Sequence, residues 1–246
     1  IAHSLLLAAT DGILIRSFAN ISLAGAIKNQ RKLLLACLPL ATNAFLFIYI
    51  NNLSRYSVDH YLDEHAMATY NALFMPSFGI ALVSGFALRP AMTLLSEQRR
   101  SADRKDFSLE VLIQLGWVIV FSIPVLILTY LWGAQVLSLM YGLDLTAHRG
   151  SLFILIASGA LLAIYRIFQA VLIILRRQMA CLAGILLATA AAWPITAYTV
   201  RNHGIRGGAF SYFLTTSILA GLFMLMTVWY TYREFTERSC QNAKNT

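Results

Sequence analysis

Charged residues are scarce in this chain of 246 residues, and acidic ones are scarcest. Only 12% of the residues are Asp, Glu, Lys or Arg, whereas 59% are hydrophobic, and the mean hydropathy is +0.67. A soluble domain usually carries about 25% charged residues, because water must solvate its surface. The composition therefore excludes an ordinary soluble domain and predicts an all-α, polytopic transmembrane helix bundle.

The signatures of several enzyme classes are missing as well. The three cysteines, Cys37, Cys181 and Cys240, are too far apart in the sequence for a metal-ligand spacing, so we expect free thiols. There is no G-x-x-x-x-G-K phosphate loop, which argues against ATP hydrolysis, and no Ser/His/Asp pattern of a hydrolase. We therefore expect a protein that is not an enzyme and that carries no cofactor.

One stretch rich in His, Asp and Glu invites a metal-binding interpretation. It contains Asp59, His60, Asp63, Glu64 and His65. Such side chains are ligands for zinc, but a connection between two membrane spans is ordinarily polar for solvation alone. We assign these residues to the first outer loop and predict no metal site.

Long apolar stretches fill most of the chain. Six of them come close to the roughly 20 residues that a spanning helix requires or exceed that length. They are Leu33 to Ile50, Ala66 to Leu95, Leu109 to Trp132, Ser151 to Leu175, Gln178 to Val200 and Gly207 to Tyr232. All five prolines lie in these stretches, where they either shape the bundle or act as hinges for alternating access.

The basic residues predict which way the spans run. Thirteen of the 19 Lys and Arg residues lie in one alternate set of connections, and four lie in the opposite set, which holds Arg55, Arg149, Arg201 and Arg206. The positive-inside rule places the first set, together with the C-terminus, in the cytoplasm. The net charge of +8 follows this topology, so we expect no nucleic-acid partner.

The ends of the chain differ from its middle. Ser4 to Ala9 resembles the tail of an apolar segment that began upstream, so we expect a fragment. Residues 17–32 have helical spacing of apolar residues and a basic end, which predicts an amphipathic helix on the cytoplasmic leaflet. We divide the chain into 1–32 (span end and linker), 33–232 (six-helix lobe) and 233–246 (cytoplasmic tail).

Two arginines fall inside predicted spans, Arg166 and Arg89. Arg166 lies ten residues before Arg176, about 15 Å along a helix and therefore near the bilayer midplane. A charge at that depth is costly unless it faces a polar cavity or a partner. Gln169 follows on nearly the same helix face, so we expect a cavity here; a guanidinium bonded to carbonyls of a broken neighbouring helix is the structural alternative.

Weaker candidates accompany these two. Arg89 precedes Pro90 in a helix that also carries Tyr70 and Asn71, although a side chain at this depth could also reach the cytoplasmic interface. Asn43 lies in the middle of the first span, where it either bonds a neighbouring helix or lines the cavity.

Several motifs in order resemble a known family. They are Pro39-Leu40, the run from Asn51 to Asp59, Ala68 to Ala72 with Pro76, Phe86 to Pro90, Val136 to Gly142, and Asn202 to Ala209. Together they resemble the C-terminal half of bacterial polysaccharide flippases, of the multidrug/oligosaccharidyl-lipid/polysaccharide exporter superfamily. The resemblance covers Ile1 to about Arg233.

The resemblance implies a twelve-helix transporter of two lobes in the bacterial cytoplasmic membrane, with this chain as the second lobe. Its expected substrate is undecaprenyl-diphosphate-linked oligosaccharide, with membrane lipids around it and a polysaccharide polymerase as a possible partner. The expected substrate-binding residues are Arg166, Arg89, Arg55, Gln169, Asn43, Asn71 and Tyr70.

Three other functions remain open at this point. A cation-coupled drug exporter of the same superfamily would carry membrane-embedded carboxylates, but the acidic residues lie in predicted loops or at helix ends, with Glu110 and Asp11 nearest to membrane depth. A membrane-embedded polymerase or acyltransferase would need large outer loops, and the connections here are short. A scaffold that transports nothing would leave lone intramembrane arginines unexplained.

Overall fold

The predicted all-helical class is confirmed. The computed structural model describes residues 23–101 and 104–245, and these residues form helices and turns without a β-strand. The helices are α1 (Leu23–Tyr61), α2 (Glu64–Ser101), α3 (Arg104–Leu128), α4 (Ala134–Tyr141), α5 (Arg149–Ile174) and α6 (Gln178–Asn245). A π-helix, Thr129–Gly133, joins α3 to α4, and a 3₁₀ turn, Thr146–His148, precedes α5.

Three helical stretches within the described residues are long and apolar enough to cross a membrane. They are Asp106–Tyr141, Thr146–Ile174 and Gln178–Glu234. The chain divides into two compact units, residues 1–41 and 42–246. The predicted amphipathic linker, residues 17–32, depends on side chains that lie outside the described part of the chain. Its boundary at residue 32 therefore stays a prediction.

The last helix is broken at Gly204. A continuous helix of the 68 residues of α6 would be about 100 Å long, more than three times the hydrocarbon thickness. Gly204 has φ 57° and ψ −134°, a backbone conformation open to glycine but not to other residues. The break separates a first half, residues 178–203, from a second half, residues 205–245.

Contacts show that the two halves of α6 run antiparallel. A methyl group built on Gly184 would lie 3.0 Å from both Met226 Sδ and the Phe223 ring, although these residues are far away in sequence. Near the break, a methyl group on Gly207 would overlap the Thr199 carbonyl. The single stretch from Gln178 to Glu234 is therefore a helical hairpin.

The central helix of the bundle is α5. In its most apolar window, 61% of the residues are buried, compared with 11% for the stretch containing α3. The rings of Tyr165 on α5 and Phe223 on the second half of α6 lie 4.7 Å apart, and the Thr227 hydroxyl donates to the Phe168 carbonyl. From the first contact to the second, the residue number increases on both helices. The two helices are therefore parallel.

The remaining helices alternate in direction around α5. On α2, Ser77 meets Gly159, and Leu95 packs with Leu175 farther along, so α2 is parallel to α5. On α3, Phe107 packs with Leu175, whereas Val118 packs with Ala163, so α3 is antiparallel to α5.

The direction of α1 follows from its contacts with α6. Val58 touches Gly208, and Asn51 bonds Tyr212, so α1 is antiparallel to the second half of α6. The long helices of this unit, α1, α2, α3, α5 and the two halves of α6, therefore run up and down in turn.

The turn from α5 into α6 is a Schellman motif without its usual glycine. The Arg177 N–H donates to the Leu172 carbonyl, and the Arg176 N–H donates to the Ile173 carbonyl, both at 2.9 Å. Arg176 has φ 58°, in the left-handed region. The Arg177 guanidinium lies 3.7 Å from the Glu234 carboxylate, which ties this turn to the end of the second half of α6.

The turn between α1 and α2 is shorter than the sequence suggests. We predicted that the first span ends at Ile50, but α1 continues to Tyr61, and only Leu62 and Asp63 separate it from α2. Asp63 caps α2, because its carboxylate accepts the Ala66 N–H at 3.1 Å. The predicted outer loop is therefore mostly helical.

Gly159 permits a close approach between α2 and α5. A methyl group there would lie 2.5 Å from the Ser77 carbonyl oxygen, which cannot move independently of α2. Gly159→Ala should therefore destabilise the protein by roughly 1–3 kcal/mol, seen as a lower thermal midpoint in detergent. Gly116→Ala, on α3 with nothing within 4 Å, is the matched control and should be neutral or stabilising; equal midpoints for both variants would contradict this packing.

Candidate functional site

Arg166 is a surface residue of the most buried helix. Its neighbours Ala163, Ile167 and Ala170 are buried, whereas the Arg166 side chain is exposed. It lies eight residues before the end of α5 at Ile174, about 12 Å along the helix. The side chain therefore leaves the bundle well inside an apolar stretch.

The Arg166 guanidinium rests on an aromatic ring. Its Cζ lies 4.0 Å from the centroid of Phe47 on α1, a cation–π contact. Phe47 in turn stacks on Tyr165, with centroids 5.4 Å apart and planes 10° apart. The Tyr165 and Phe223 rings meet edge to face, with their centroids 4.7 Å apart. This second contact fixes the aromatic stack in the buried core.

No hydrogen-bond acceptor of the described residues reaches Arg166. A guanidinium has five N–H donors, and the contact that the structure shows for this one is a stacking contact with the Phe47 ring. The structural alternative raised by the sequence, carbonyls of a neighbouring helix, is not formed by the described residues. The N–H donors therefore have no acceptor within the described part of the chain.

Two amide side chains lie one helical turn from the aromatic stack. Asn43 is buried, and its Oδ1 has no hydrogen-bond partner among the described residues; Gln169 is also buried. Because α1 and α5 are antiparallel and Phe47 meets Tyr165, moving one turn along each helix brings Asn43 and Gln169 to the same level as each other. That these two amides act together with Arg166 stays a prediction.

This group is suited to bind an anion. Arg166, Asn43, Gln169 and the buried Tyr165 hydroxyl, which has no partner, all carry N–H or O–H donors. An amide turned by 180° presents nitrogen where oxygen stood, so the orphaned end of Asn43 can donate. Carboxylate and phosphate oxygens are the acceptors that a guanidinium binds bidentately.

Arg55 forms a second arginine–aromatic contact. Its Cζ lies 4.7 Å from the Phe74 ring, and its Nη1 donates to Asn52 at 3.3 Å, while its Nε is buried without a partner. It stands eight residues beyond Phe47 on α1, about 12 Å along the axis. Arg55 belongs to a helix, which continues past the end of the predicted apolar span, and its place in a connection between spans stays a prediction.

Tyr70 is fully buried and bonded within the protein. Its hydroxyl lies 2.9 Å from Ser54 Oγ and 3.2 Å from the Gly208 carbonyl oxygen. A phenol has one proton and a carbonyl only accepts, so Tyr70 donates to Gly208 and accepts from Ser54. This pairing joins α1, α2 and the second half of α6. Asn71, the next residue, is half-buried.

Sequence reasoning missed a second pair in the same region. Tyr212 donates to the Asn51 amide oxygen at 3.1 Å, and both residues are buried. The spacing of Asn43, Phe47 and Asn51, four residues apart on one face of α1, was the available signal. It marks the helix face that packs on the aromatic residues.

Two predicted features need separate comment. Arg89 lies on α2, but its side chain is outside the described residues. In the part of the chain that the structure describes, no three His, Cys, Asp or Glu side chains gather as metal ligands. Asp63 serves as a helix cap instead.

Comparison with known proteins gives no match: no protein-family model, curated protein or solved structure is similar to this chain.

Tyr70→Phe tests whether this phenol holds helices or touches substrate. Loss of its two hydrogen bonds should destabilise the protein by about 0.6–1.7 kcal/mol, the range for such bonds between membrane helices. Thermal unfolding in detergent measures this, with Tyr56→Phe, an exposed residue on α1, as control. A full loss of activity with an unchanged midpoint would instead assign Tyr70 to the substrate site.

Proposed function

We propose that this chain forms the second lobe of a two-lobed flippase, which moves undecaprenyl-diphosphate-linked oligosaccharide across the bacterial cytoplasmic membrane. The observation that carries the proposal is Arg166, an exposed guanidinium within an apolar helix that no described acceptor satisfies. Such a residue is costly in a membrane protein unless an anion or water completes its bonds.

The proposed topology has six spans. The three apolar stretches supply four of them once the hairpin at Gly204 is counted as two, and α1 and α2 supply the other two. The up-and-down order of the helices supports this count. The excess of basic residues at one end favours a cytoplasmic C-terminus.

The mechanism follows from the cost of moving a diphosphate through hydrocarbon. An isolated ionised group there costs on the order of tens of kcal/mol. In the proposed cycle, the Arg166 guanidinium pairs bidentately with the diphosphate at the face between the lobes, and Asn43 and Gln169 donate to its remaining oxygens. The lipid tail stays in the bilayer. Alternating access then opens this face first to one side of the membrane and afterwards to the opposite side.

Arg55 and Arg89 are further candidates on the same route. Arg55 stands about 12 Å along α1 from the Arg166 contact, so the two could serve successive positions of the headgroup. The proposal does not require Tyr70, which is saturated by Ser54 and Gly208.

A cation-coupled drug exporter is the second candidate. Glu110 lies within the apolar stretch of α3, where its carboxylate accepts a hydrogen bond from Gln114 at 2.9 Å. A carboxylate in such a helix is a candidate coupling group. By contrast, the turn between α1 and α2 and the break at Gly204, both on the predicted outer side, are only a few residues long, which argues against a polymerase with catalytic outer loops.

Reconstitution of the full-length protein in liposomes separates these functions. We expect a fluorescent polyprenyl-diphosphate sugar to move between leaflets, and we expect no uptake of an organic cation under a proton or sodium gradient. Uptake of the cation, with loss on Glu110→Gln, would select the drug exporter. Absence of both activities would reject transport by this lobe.

Arg166→Ala should reduce headgroup translocation to the rate of protein-free liposomes while leaving insertion intact. Arg166→Lys should keep part of the activity, because Lys keeps the charge but cannot bind bidentately. The stacking on Phe47 is worth about 0.5–1 kcal/mol at an exposed site, so the thermal midpoint should change little. Arg201→Ala, an exposed arginine near the Gly204 break, is the control. Normal translocation by Arg166→Ala would remove the basis of the proposal.

A further inference from the structure

The short helix α4 has apolar side chains on two sides. Ala134 and Leu137 are buried in a core cluster that includes Leu145 and Leu152. On the other side, Val136 is 52% exposed, Leu139 88% and Met140 73%. Positions i, i+3 and i+4 share a helix face, so these three side chains form a continuous apolar stripe, here called the outer stripe of α4.

The position of α4 along the bundle places this stripe near a membrane surface. Roughly 40 Å of helix separates Asp106 from Trp132, which matches the roughly 40–45 Å of a bilayer with its headgroups. Tyr130 and Trp132, both 58% exposed, precede α4 as an aromatic pair typical of the headgroup level. The helix therefore begins at the headgroup level.

The chain between α3 and α4 is held by an arginine from α5. The π-helix Thr129–Gly133 has a wide turn, and the Arg149 guanidinium donates to the carbonyls of Tyr130 and Leu131. Arg149 Cζ also lies 4.6 Å from the Tyr130 ring centroid.

The other end of α4 is held as well. The Ser138 hydroxyl accepts the Leu145 N–H at 3.0 Å. The helix is thus fixed to the bundle on its inner side, with its outer stripe uncovered.

We infer that α4 is an interfacial helix whose outer stripe is immersed in the lipid leaflet at this end of the bundle. The exposed apolar surface of α3, including Ile127 and Leu128, continues through Leu131 into the stripe, so one lipid layer can cover both. Arg149 is exposed beside the aromatic pair, where its charge complements the phosphates of lipid headgroups. This inference holds for any membrane function of the chain.

Site-directed labelling tests the position of the stripe. Leu139→Cys and Met140→Cys change the two most exposed side chains of α4, which the core does not need, and Ala147→Cys in the exposed turn before α5 is the control. The full-length variants in phospholipid vesicles are treated with a membrane-impermeant maleimide, and mass spectrometry locates the label on each peptide. We expect strong labelling at position 147 and loss of labelling at positions 139 and 140.

A second measurement needs no substitution. Phospholipid with a diazirine on its acyl chain, placed in the same vesicles, should crosslink to the wild-type peptide containing α4. In the first experiment, maleimide labelling of the cysteines at positions 139 and 140 as strong as that at position 147 would place the stripe in water and overturn the inference. A third outcome is that positions 139 and 140 are protected from maleimide while the α4 peptide acquires no lipid crosslinks. This result would mean that a second copy or another protein covers the stripe, and it would also overturn the inference.

Discussion

The absence of water inside a bilayer is the constraint on which this structure depends. A polar group there must find its partner within the protein, because no solvent replaces a missing hydrogen bond. The chain meets this demand with long-range pairs, Tyr70 to Gly208 and Tyr212 to Asn51, each joining helices distant in sequence. Several polar atoms, among them Asn43 Oδ1 and the Tyr165 hydroxyl, find no partner among the described residues, and neither does the Arg166 guanidinium. The charge on Arg166 is the reason to place the proposed function beside it.

Packing in such a bundle relies on shape more than on hydrophobic burial, since lipid is as apolar as the side chains that face it. Glycines therefore lie where helices touch: Gly159 against Ser77, Gly184 against Phe223, and Gly208 against Tyr70. One of these close approaches reaches the aromatic stack, because Phe223 also meets the Tyr165 ring. Tight packing of the two halves of α6 therefore helps to fix the ring stack on which Arg166 rests.

Sequence reasoning predicted the all-helical class and apolar segments long enough to cross a membrane, because apolar length is a local property of the chain. It also singled out Arg166, because a lone charge in an apolar run is visible in the sequence. It ended the first apolar stretch at Ile50 and did not show that the helix continues for eleven residues to Tyr61. In that extension Asn51 bonds Tyr212 and Arg55 lies on Phe74. Partners contributed by distant segments are invisible to periodicity, so these contacts could not be predicted.

The sequence by itself determined that this chain is helical, that it has apolar segments long enough to cross a membrane, and roughly where those segments lie. Each follows from residue composition and order along one strand of chain. Only the tertiary structure decided that Asn43 and Gln169 share a level, one turn from the aromatic stack. It also decided that Phe47 and Phe74 support the two guanidinium groups, and that α4 turns an apolar stripe outward. The physical reason is that these relations depend on the register between antiparallel helices, which is set by side-chain packing across the bundle.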